Sequence, residues 1–418
     1  MPDTPRSGPG AEVKASLRVL HLNSLLTGGG TDDQCVKLCA HLAALGVRVG
    51  LAGPEGREYT RVARAAGVPV QATPSEGPAK LRFILSAARA LREERCDVVH
   101  GHHGRDLWPT VLAARLSGVR PRVVITRHLA KSPASGVSRR FLLGQVDSII
   151  AVSAFVARVL REGHYEPNSP VAERRARPPL CGDHGKICVI HGGVEMSRFR
   201  PRPAGAPEVD ALRSTWGLRP GDFAFGVVGG YDPPRGKGQR EFLRAAARVC
   251  REVPAARFLI IGRGHLKERL EQDIEELGLA GVAWLTPYCR DMPMAMNALD
   301  CLVHPQIGTE AFPGVVLEAL ACGRRVIATD LDGIPEAFAA CPAGRLIEPE
   351  SVEALATGLL EVWRETPPDP AAREAMHARV ARGFDLPVVA ARVLAHYEAL
   401  LAGGGTRRVG SVPDGGTH

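Results

Sequence analysis

The chain has 418 residues, of which 45% are hydrophobic and 23% are charged. These values are close to the average of globular proteins, and the length is sufficient for two domains that each bury a hydrophobic core. The longest apolar segment, residues 148–160, contains a charged residue and falls short of the roughly 18 apolar residues that span a membrane. Length and composition therefore exclude a peptide, a small disulfide-stapled protein and a membrane-spanning protein.

The charge balance is mildly basic, with 53 lysines and arginines, 45 aspartates and glutamates, and a net charge of +8 at pH 7. A positive excess favours anionic partners such as phosphate esters or acidic membrane surfaces. Nucleic acid is not predicted as a partner, because the densest basic run, residues 173–177, has no aromatic residues near it.

The ten cysteines are scattered along the chain, and several lie in apolar segments where a thiol acts as a small hydrophobic group. The N-terminal segment also lacks the apolar core of a secretory signal. We therefore expect a cytoplasmic protein without a disulfide framework.

Short apolar segments alternate with segments of helical periodicity from residue 17 onward. This alternation is typical of strand–helix–strand units, so it predicts an α/β protein with parallel sheets covered by helices on both faces. A helix over residues 32–45 has the clearest apolar periodicity and ends at Gly46. In the first half of the chain, we predict strands at residues 17–22, 47–52, 98–100, 122–126, 148–152 and 186–191.

Two segments interrupt this alternation. Residues 163–185 are polar and rich in proline, which predicts an inserted loop without regular structure. Prolines and a glycine at residues 201–207 predict a domain boundary, because strands resume beyond them. The predicted strands of the second half are residues 223–228, 257–261, 282–285, 301–304 and 326–329.

These boundaries predict two α/β domains, at residues 16–198 and 199–385. The helix predicted over residues 386–402 carries an apolar stripe that needs another surface to cover it. The terminal segments, residues 1–15 and 403–418, have little to bury and are expected to be disordered.

Ligands of doubly wound sheets bind beyond the carboxyl ends of the strands, so small and polar residues at those positions are candidates for binding. Gly28, Gly29 and Gly30 follow the first strand and precede a helix. Glycines at this place let the backbone approach an anion at the helix N-terminus. A flexible turn, in which Thr31 or Asp32 caps the helix, is the alternative.

A group of histidines lies at the end of the third predicted strand. His100 and His102 would share one face of an extended segment, and His128 follows the next strand. These three could form the zinc site of a hydrolase, which would need further ligands. The alternative is a hydrogen-bonding or base role for a neutral histidine. For His103 we expect a partly exposed position in a loop.

The second half of the chain contains two further candidate segments. In residues 229–238, Arg235 and Lys237 lie in a glycine- and proline-rich loop that opens a helix, where cations and backbone amides can converge on phosphate. A solvated loop is the alternative. In residues 309–323, Glu310 precedes a helix and Glu318 lies about one turn inside it. Two carboxylates beside a helix N-terminus could bind the hydroxyl groups of a nucleotide sugar, or the carboxylates could simply complement the helix dipole.

Taken together, these segments resemble glycosyltransferases of the GT-B fold, and in particular glycosyltransferase family 4. The most specific similarity is the pair Glu310 and Glu318, followed by Ala-Leu-Ala-Cys-Gly and later by Asp-Gly-Ile-Pro-Glu at residues 332–336. Residues 99–102, 151–154 and 189–199 are also similar to the family. The resemblance implies two Rossmann-like, doubly wound domains that face each other across a cleft, with the last helix crossing back to the first domain.

The resemblance further implies a metal-independent, retaining enzyme without a cofactor, which moves a hexose-type sugar from a nucleoside diphosphate sugar to an unidentified acceptor hydroxyl. Glu318 would bind the donor ribose and Glu310 the transferred sugar, while Lys237 would neutralise the departing diphosphate. The residues implied as catalytic are His102, Arg235, Lys237 and Glu310. The residues implied as donor-binding are Gly28, Gly29, Gly30, Gly229, Phe312, Pro313, Gly314, Val315 and Glu318.

Three positions depart from the family pattern. Gly230 replaces an arginine, Gly236 separates Arg235 from Lys237, and Pro313 removes a backbone N–H at the helix start. The missing arginine leaves open a catalytically impaired sugar-nucleotide-binding protein, and an epimerase is a further variant. The expected acceptor is lipid-linked or a glycan of the cell envelope. Basic patches, including residues 163–185, are expected to contact an anionic membrane.

Overall fold

The computed structural model describes residues 16–73, 79–165, 176–203, 205–287, 289–339, 341 and 344–403. The two predicted terminal tails therefore lie outside the described residues, apart from residue 403, and so do residues 166–175 of the predicted insertion. Every helix in this part of the chain is too short or too polar to cross a membrane.

The first half of the chain forms a parallel sheet of seven strands within the described residues. The strands of this half, including two outside that sheet, are β1 (Arg18–Leu22), β2 (Arg48–Pro54), β3 (Val70–Thr73), β4 (Val98–Gly101), β5 (Arg122–Arg127), β6 (Ser148–Ala151), β7 (His164–Tyr165), β8 (Ala176–Arg177) and β9 (Ile187–Val189). The order across the sheet is β3, β2, β1, β4, β5, β6 and β9, while β7 and β8 pair separately. The helices are α1 (Gly30–Ala44), α2 (Glu58–Ala65), α3 (Ala79–Glu93), α4 (Leu107–Ser117), α5 (Gly136–Phe141) and α6 (Ala154–Glu162).

The second half repeats this architecture with a parallel sheet of six described strands. They are β10 (Phe223–Val228), β11 (Ala256–Ile261), β12 (Ala283–Leu285), β13 (Cys301–His304), β14 (Arg325–Thr329) and β15 (Gly344–Ile347). Their order is β12, β11, β10, β13, β14 and β15. The helices are α7 (Pro207–Thr215), α8 (Gln239–Val249), α9 (Lys267–Glu276), α10 (Met292–Ala298), α11 (Gly314–Ala321), α12 (Ile334–Phe338), α13 (Val352–Arg364), α14 (Pro370–Phe384) and α15 (Leu386–Leu401).

The central strands were predictable because both of their faces are covered by helices, so nearly every residue in them is apolar and buried. In β4, β6, β13 and β14 every residue is buried. The edge strands β3 and β15 were not predicted, because each buries only one residue and carries no continuous apolar run.

The prediction that residues 163–185 contain no regular structure is wrong at residues 164–165 and 176–177. The backbone of β7 pairs with β8 in an antiparallel manner, with residue 164 opposite 177 and residue 165 opposite 176. Pairing satisfies backbone N–H and C=O groups that a loop would leave to solvent. The polar composition of the segment gave no sign of this pair.

Helix α15 returns to the first sheet, as the resemblance implies. Its residues Val389, Val393 and Tyr397 are buried in the same apolar cluster as Val36 and Leu42 of α1. Polar contacts accompany this packing, since the Tyr397 hydroxyl is hydrogen-bonded to Nδ1 of His100 at 2.5 Å. The chain thus ends its second half by packing on its first.

Substituting Tyr397→Phe should lower the free energy of unfolding by about 1–3 kcal/mol, because a buried nitrogen of His100 loses its partner. Urea denaturation of the wild type and the variant measures this difference. Glu398→Gln on the exposed face of α15 is the control and should change stability by less than about 0.5 kcal/mol. Equal stability of Tyr397→Phe and wild type would show that the hydrogen bond does not hold α15 in place.

Candidate functional site

The glycine loop after β1 adopts a backbone that favours glycine, with φ of 126° at Gly28 and 99° at Gly29. Asp32, inside the first turn of α1, accepts a hydrogen bond from the Gly28 N–H at 2.9 Å. It also lies 2.8 Å from Nε2 of His103. Burial raises the pKa of Asp32, but the hydrogen bonds from His103 and Gly28 outweigh it and lower the pKa. Asp32 therefore holds the loop rather than capping the helix. His103 lies partly exposed in its loop, as predicted, and is bound to this carboxylate.

A second polar group lies at the centre of the first sheet. His21 of β1 and His102 are hydrogen-bonded, with 2.9 Å between Nδ1 of His21 and Nε2 of His102. His100 is next to them, and both of its nitrogens are occupied, by Tyr397 and by Thr126. The pattern of the sequence did not single out His21, because it lies within an apolar strand.

The three histidines proposed for a zinc hydrolase do not all converge on one point. The histidines whose nitrogens converge are His21, His100 and His102, whereas His128 only stacks on His102 with 5.8 Å between ring centroids. Burial lowers the pKa of His21 and of His128 to about 3. These two side chains are therefore neutral at pH 7.

The two candidate segments of the second half meet at one ion pair. Nζ of Lys237 lies 2.6 Å from Oε2 of Glu310. The sequence analysis did not identify His304, the buried last residue of β13, whose Nε2 is 3.7 Å from the same oxygen. Burial opposes ionisation of Glu310, but Lys237 overcomes it and the pKa of Glu310 is lowered to about 2. A carboxylate is thus held ionised beside a lysine at the carboxyl edge of the sheet.

Arg235 does not join this pair. It is directed to Glu350, with 3.5 Å between Nη1 and Oε1, and its side chain is 38% exposed. Gly229 lies against Lys237 instead, since a Cβ at Gly229 would stand 3.2 Å from Cγ of Lys237. Arg235 therefore does not take the place of the arginine that the family pattern has at the position of Gly230.

Helix α11 begins beside the ion pair. Pro313 is its N-cap, and Gly314 and Val315 are its first two residues. Glu318 follows in the second turn, where burial raises its pKa to about 7. Lys37 of α1 is the charge that most opposes this increase, so Glu318 lies near the first half of the chain.

The two halves of the chain contact each other around these residues. The ring of Phe312 lies 5.0 Å from the ring of His191. The carboxylate of Glu336 accepts hydrogen bonds from the N–H groups of Ala154 and Phe155 at 2.7 and 2.8 Å, at the start of α6. Segments 151–154, 189–199 and 332–336, noted separately in the sequence, are therefore in contact.

Two cavities lie at the carboxyl edge of the second sheet. One, of about 320 Å³, is lined by Gly229, Gly230 and Arg263 at the carboxyl ends of β10 and β11. The other, of about 400 Å³, shares Arg263 and is also lined by Arg61 of α2. The cleft is thus formed by both halves, and its rim includes an arginine that the sequence analysis missed. In the described residues, no hydrogen bond joins His102 to Lys237 or Glu310.

Two family models match the chain. The model described as Glycosyltransferase Family 4 matches residues 28–173, and the model described as Glycosyl transferases group 1 matches residues 222–365. The chain is 31% identical to the phosphatidyl-myo-inositol mannosyltransferase of Mycolicibacterium smegmatis, over 90% of this chain and 92% of that protein. It is 26% identical to the D-inositol 3-phosphate glycosyltransferase of Mycobacterium ulcerans, over 79% of this chain and 73% of that protein.

Solved structures are similar over almost the whole chain. A glycosyltransferase from Rickettsia africae ESF-5 superposes with a TM-score of 0.77 at 18% identity, covering 93% of this chain and 99% of that one. The Anabaena protein Alr3699/HepE, in complex with UDP-glucose, superposes with a TM-score of 0.74 at 18% identity, covering 92% and 100%. The chain therefore has the GT-B fold, with two Rossmann-like domains. With the sequence relatives, this shows that the chain belongs to glycosyltransferase family 4 and is a glycosyltransferase.

The raised pKa of Glu318 makes stability depend on pH. The folded state holds this proton more tightly than the unfolded chain, so the stabilisation is complete below pH 4.5 and is lost as the pH rises to about 7. Relative to Glu318→Gln, the wild type should lose roughly 1–3 kcal/mol of unfolding free energy over this range. Urea denaturation at several pH values measures it, with Glu268→Gln on the exposed face of α9 as the control. A constant difference between wild type and Glu318→Gln would contradict the shift.

Proposed function

We propose that this enzyme transfers a hexose-type sugar, with retention of configuration, from a nucleoside diphosphate sugar to an acceptor hydroxyl. The observation that carries the proposal is the ion pair of Lys237 and Glu310 at the start of α11, with Glu318 one turn further on. A solved structure of the same fold holds UDP-glucose, which supports a nucleotide-sugar donor.

The residues of the site suit the demands of this reaction. Breaking the bond between sugar and phosphate builds negative charge on the leaving diphosphate, and the ammonium group of Lys237 supplies positive charge there. The N–H groups at the start of α11 add a partial positive charge. Glu310 is ionised and would accept hydrogen bonds from the hydroxyls of the transferred sugar, while Glu318 would accept them from the donor ribose. Lys237 makes a metal ion unnecessary for this charge stabilisation.

The surroundings of the cleft favour a reaction shielded from water. The glycine loop of residues 28–30 lies at the start of α1 and would approach the donor. The Nδ1 atom of His102 is buried and has no partner in the described residues. Closure of the two domains would exclude water from the oxocarbenium-like centre that forms during transfer.

A catalytically impaired sugar-nucleotide-binding protein is the second candidate. It is favoured by one observation, that Gly230 lacks a cation and Arg235 is directed to Glu350. Such a protein would bind the donor but would neither transfer nor hydrolyse it.

A thermal unfolding screen against nucleoside diphosphates and their sugars tests the donor. We expect one nucleotide to raise the unfolding midpoint, with and without EDTA, because it binds only the folded state. Turnover of the corresponding sugar nucleotide then separates the enzyme from the impaired binder. No shift with any nucleotide would contradict both candidates.

Lys237→Met should reduce kcat by about 10²–10³-fold, because charge on the leaving group loses its counter-charge. Arg235→Met is the matched control, and it should change kcat less than about fivefold, because a partly exposed ion pair with Glu350 contributes little. Steady-state kinetics with the identified donor measure both. Equal losses in the two variants would show that Arg235 moves to the diphosphate during catalysis.

For the acceptor, we propose the hydroxyl of a phosphorylated inositol or of its lipid. The support comes from relatives whose names specify D-inositol 3-phosphate and phosphatidyl-myo-inositol. A lipid acceptor requires the enzyme to work at a membrane, on the cytoplasmic side where nucleotide sugars are made available to it.

We further propose that α3 and α4 contact an anionic membrane. Leu81 and Leu85 of α3 are 62% and 51% exposed, and Leu116 of the adjacent α4 is 49% exposed. Arg89 lies one turn beyond Leu85 on the same side of α3, with a side chain that is 76% exposed and pairs with Glu93 at 2.7 Å. Exposed leucines beside an exposed arginine fit a surface of anionic headgroups above an apolar layer.

The double variant Leu81→Ser/Leu85→Ser should bind phosphatidylglycerol vesicles at least about fivefold more weakly than wild type, because less apolar surface enters the bilayer. Co-sedimentation measures the bound fraction, and Leu277→Ser, at an exposed leucine of the second half, is the control. Equal binding of wild type to anionic and neutral vesicles would contradict the proposal.

A further inference from the structure

Two cysteines of α1 lie beside a histidine of β1 in the core of the first half. Cys35 and Cys39 are about one turn apart on α1, so their side chains share one face of the helix. A ring nitrogen of His21 and the two sulfur atoms all lie within 4.8 Å of one another. The three side chains are fully buried. A strand and the helix that follows it thus bring three potential metal ligands together.

The imidazole of His21 is held as metal-binding imidazoles are. Its Nδ1 is hydrogen-bonded to Nε2 of His102 at 2.9 Å, and its Nε2 is buried without a partner in the described residues. A histidine that binds a metal uses one nitrogen for the ion, while a hydrogen bond at the other nitrogen fixes the ring. Burial lowers the pKa of His21 to about 3, so the ring is neutral, as a ligand must be. Nε2 of His21 is therefore available to a cation.

Other buried cysteines have different surroundings. The thiols of Cys301 and Cys322 donate to backbone carbonyl oxygens. Within the part of the chain that the structure describes, Cys35 and Cys39 are the only cysteines in a group of three potential metal ligands. Packing as small hydrophobic groups accounts for a buried thiol, but it does not account for an imidazole nitrogen without a partner beside two thiols.

The donor set suits a cation that prefers sulfur. Two thiolates, one neutral imidazole and a divalent cation have no net charge, which limits the cost of burying the ions. Two cysteines and one histidine are a ligand set used for zinc, with the fourth position left to water, and thiolates also select Cu⁺. Ligand atoms around one zinc ion are about 3.5–3.8 Å apart, so the three side chains would need to approach one another by about 1 Å or less.

We propose that His21, Cys35 and Cys39 form a structural site for one thiophilic cation, Zn²⁺ or Cu⁺. Binding forms two bonds from sulfur and one from nitrogen to the metal, and it releases the two thiol protons. The cation would join β1 to α1, the elements on either side of the glycine loop of residues 28–30. The site lies outside the donor site and does not depend on the proposed function.

Titration of the chelator-treated, full-length chain with Co²⁺ tests the proposal, because cobalt bound to thiolates gives a charge-transfer absorption. Co²⁺ is supplied to the folded chain and also during refolding from urea, since the ligands are buried. The wild type should bind one Co²⁺ and show this absorption. Cys35→Ser and Cys39→Ser should each bind Co²⁺ at least about tenfold more weakly and lose part of the absorption. Displacement of the bound Co²⁺ by Zn²⁺ and by Cu⁺, compared at equal free concentrations, identifies the preferred ion.

Two controls separate metal binding from folding. Cys96→Ser removes another buried cysteine of the same half and should keep both the affinity for Co²⁺ and the absorption. Should the serine variants not fold, Cys35→Ala and Cys39→Ala keep a small apolar side chain in the core and should show the same loss of binding. The cation should also raise the unfolding midpoint of the wild type and of Cys96→Ser more than that of the other variants, because it binds the folded state.

The proposal is overturned if the wild type shows no thiolate-to-cobalt absorption, or if the variants at Cys35 and Cys39 bind Co²⁺ as the wild type does. Failure of both Zn²⁺ and Cu⁺ to displace Co²⁺ would also contradict it. Failure of the proposed function has a different signature, because the nucleoside diphosphate shift of the wild type would then be absent while the cobalt absorption would not change.

Discussion

The ion pair of Lys237 and Glu310 organises the second half of the site. Its partners lie 73 residues apart and approach to 2.6 Å, because β10 and β13 are neighbours in the sheet and both end at the same edge. The loop after each strand can therefore place a charge at that edge. Lys237 keeps Glu310 ionised in a buried position, and Glu310 keeps a cation where α11 begins, so each charge offsets the desolvation cost of the other.

The first half of the chain carries neutral, hydrogen-bonded side chains at its centre instead of a charged pair. His21, His100 and His102 lie together at the centre of the first sheet, and Tyr397 of the returning helix is hydrogen-bonded to His100. Burial keeps these imidazoles uncharged, which avoids repulsion among three neighbouring rings. The helix that closes the fold thus also completes the polar layer of the first sheet, so the packing of α15 and the position of the histidines are linked.

Positive charge is distributed unusually around the cleft. The loop after β10 holds one lysine at the site, while Arg235 is directed outward to Glu350. Arg263, after the neighbouring strand, lines both cavities. The site therefore obtains positive charge from two neighbouring strand ends rather than from one loop, which suits a reaction with phosphate on the donor and, as we propose, on the acceptor.

The sequence by itself determined the α/β class, the central strands, helices such as α1 and α15, and the pair Glu310 and Glu318, because apolar periodicity and short spacings are local properties. It did not determine the edge strands β3 and β15, which bury too little to leave a pattern. Only the tertiary structure decided that Lys237 pairs with Glu310, that Arg235 does not, and that His21 and His304 join the polar groups. These contacts connect residues on different strands, and their partners are selected by the order of strands in the sheet, which no local pattern encodes.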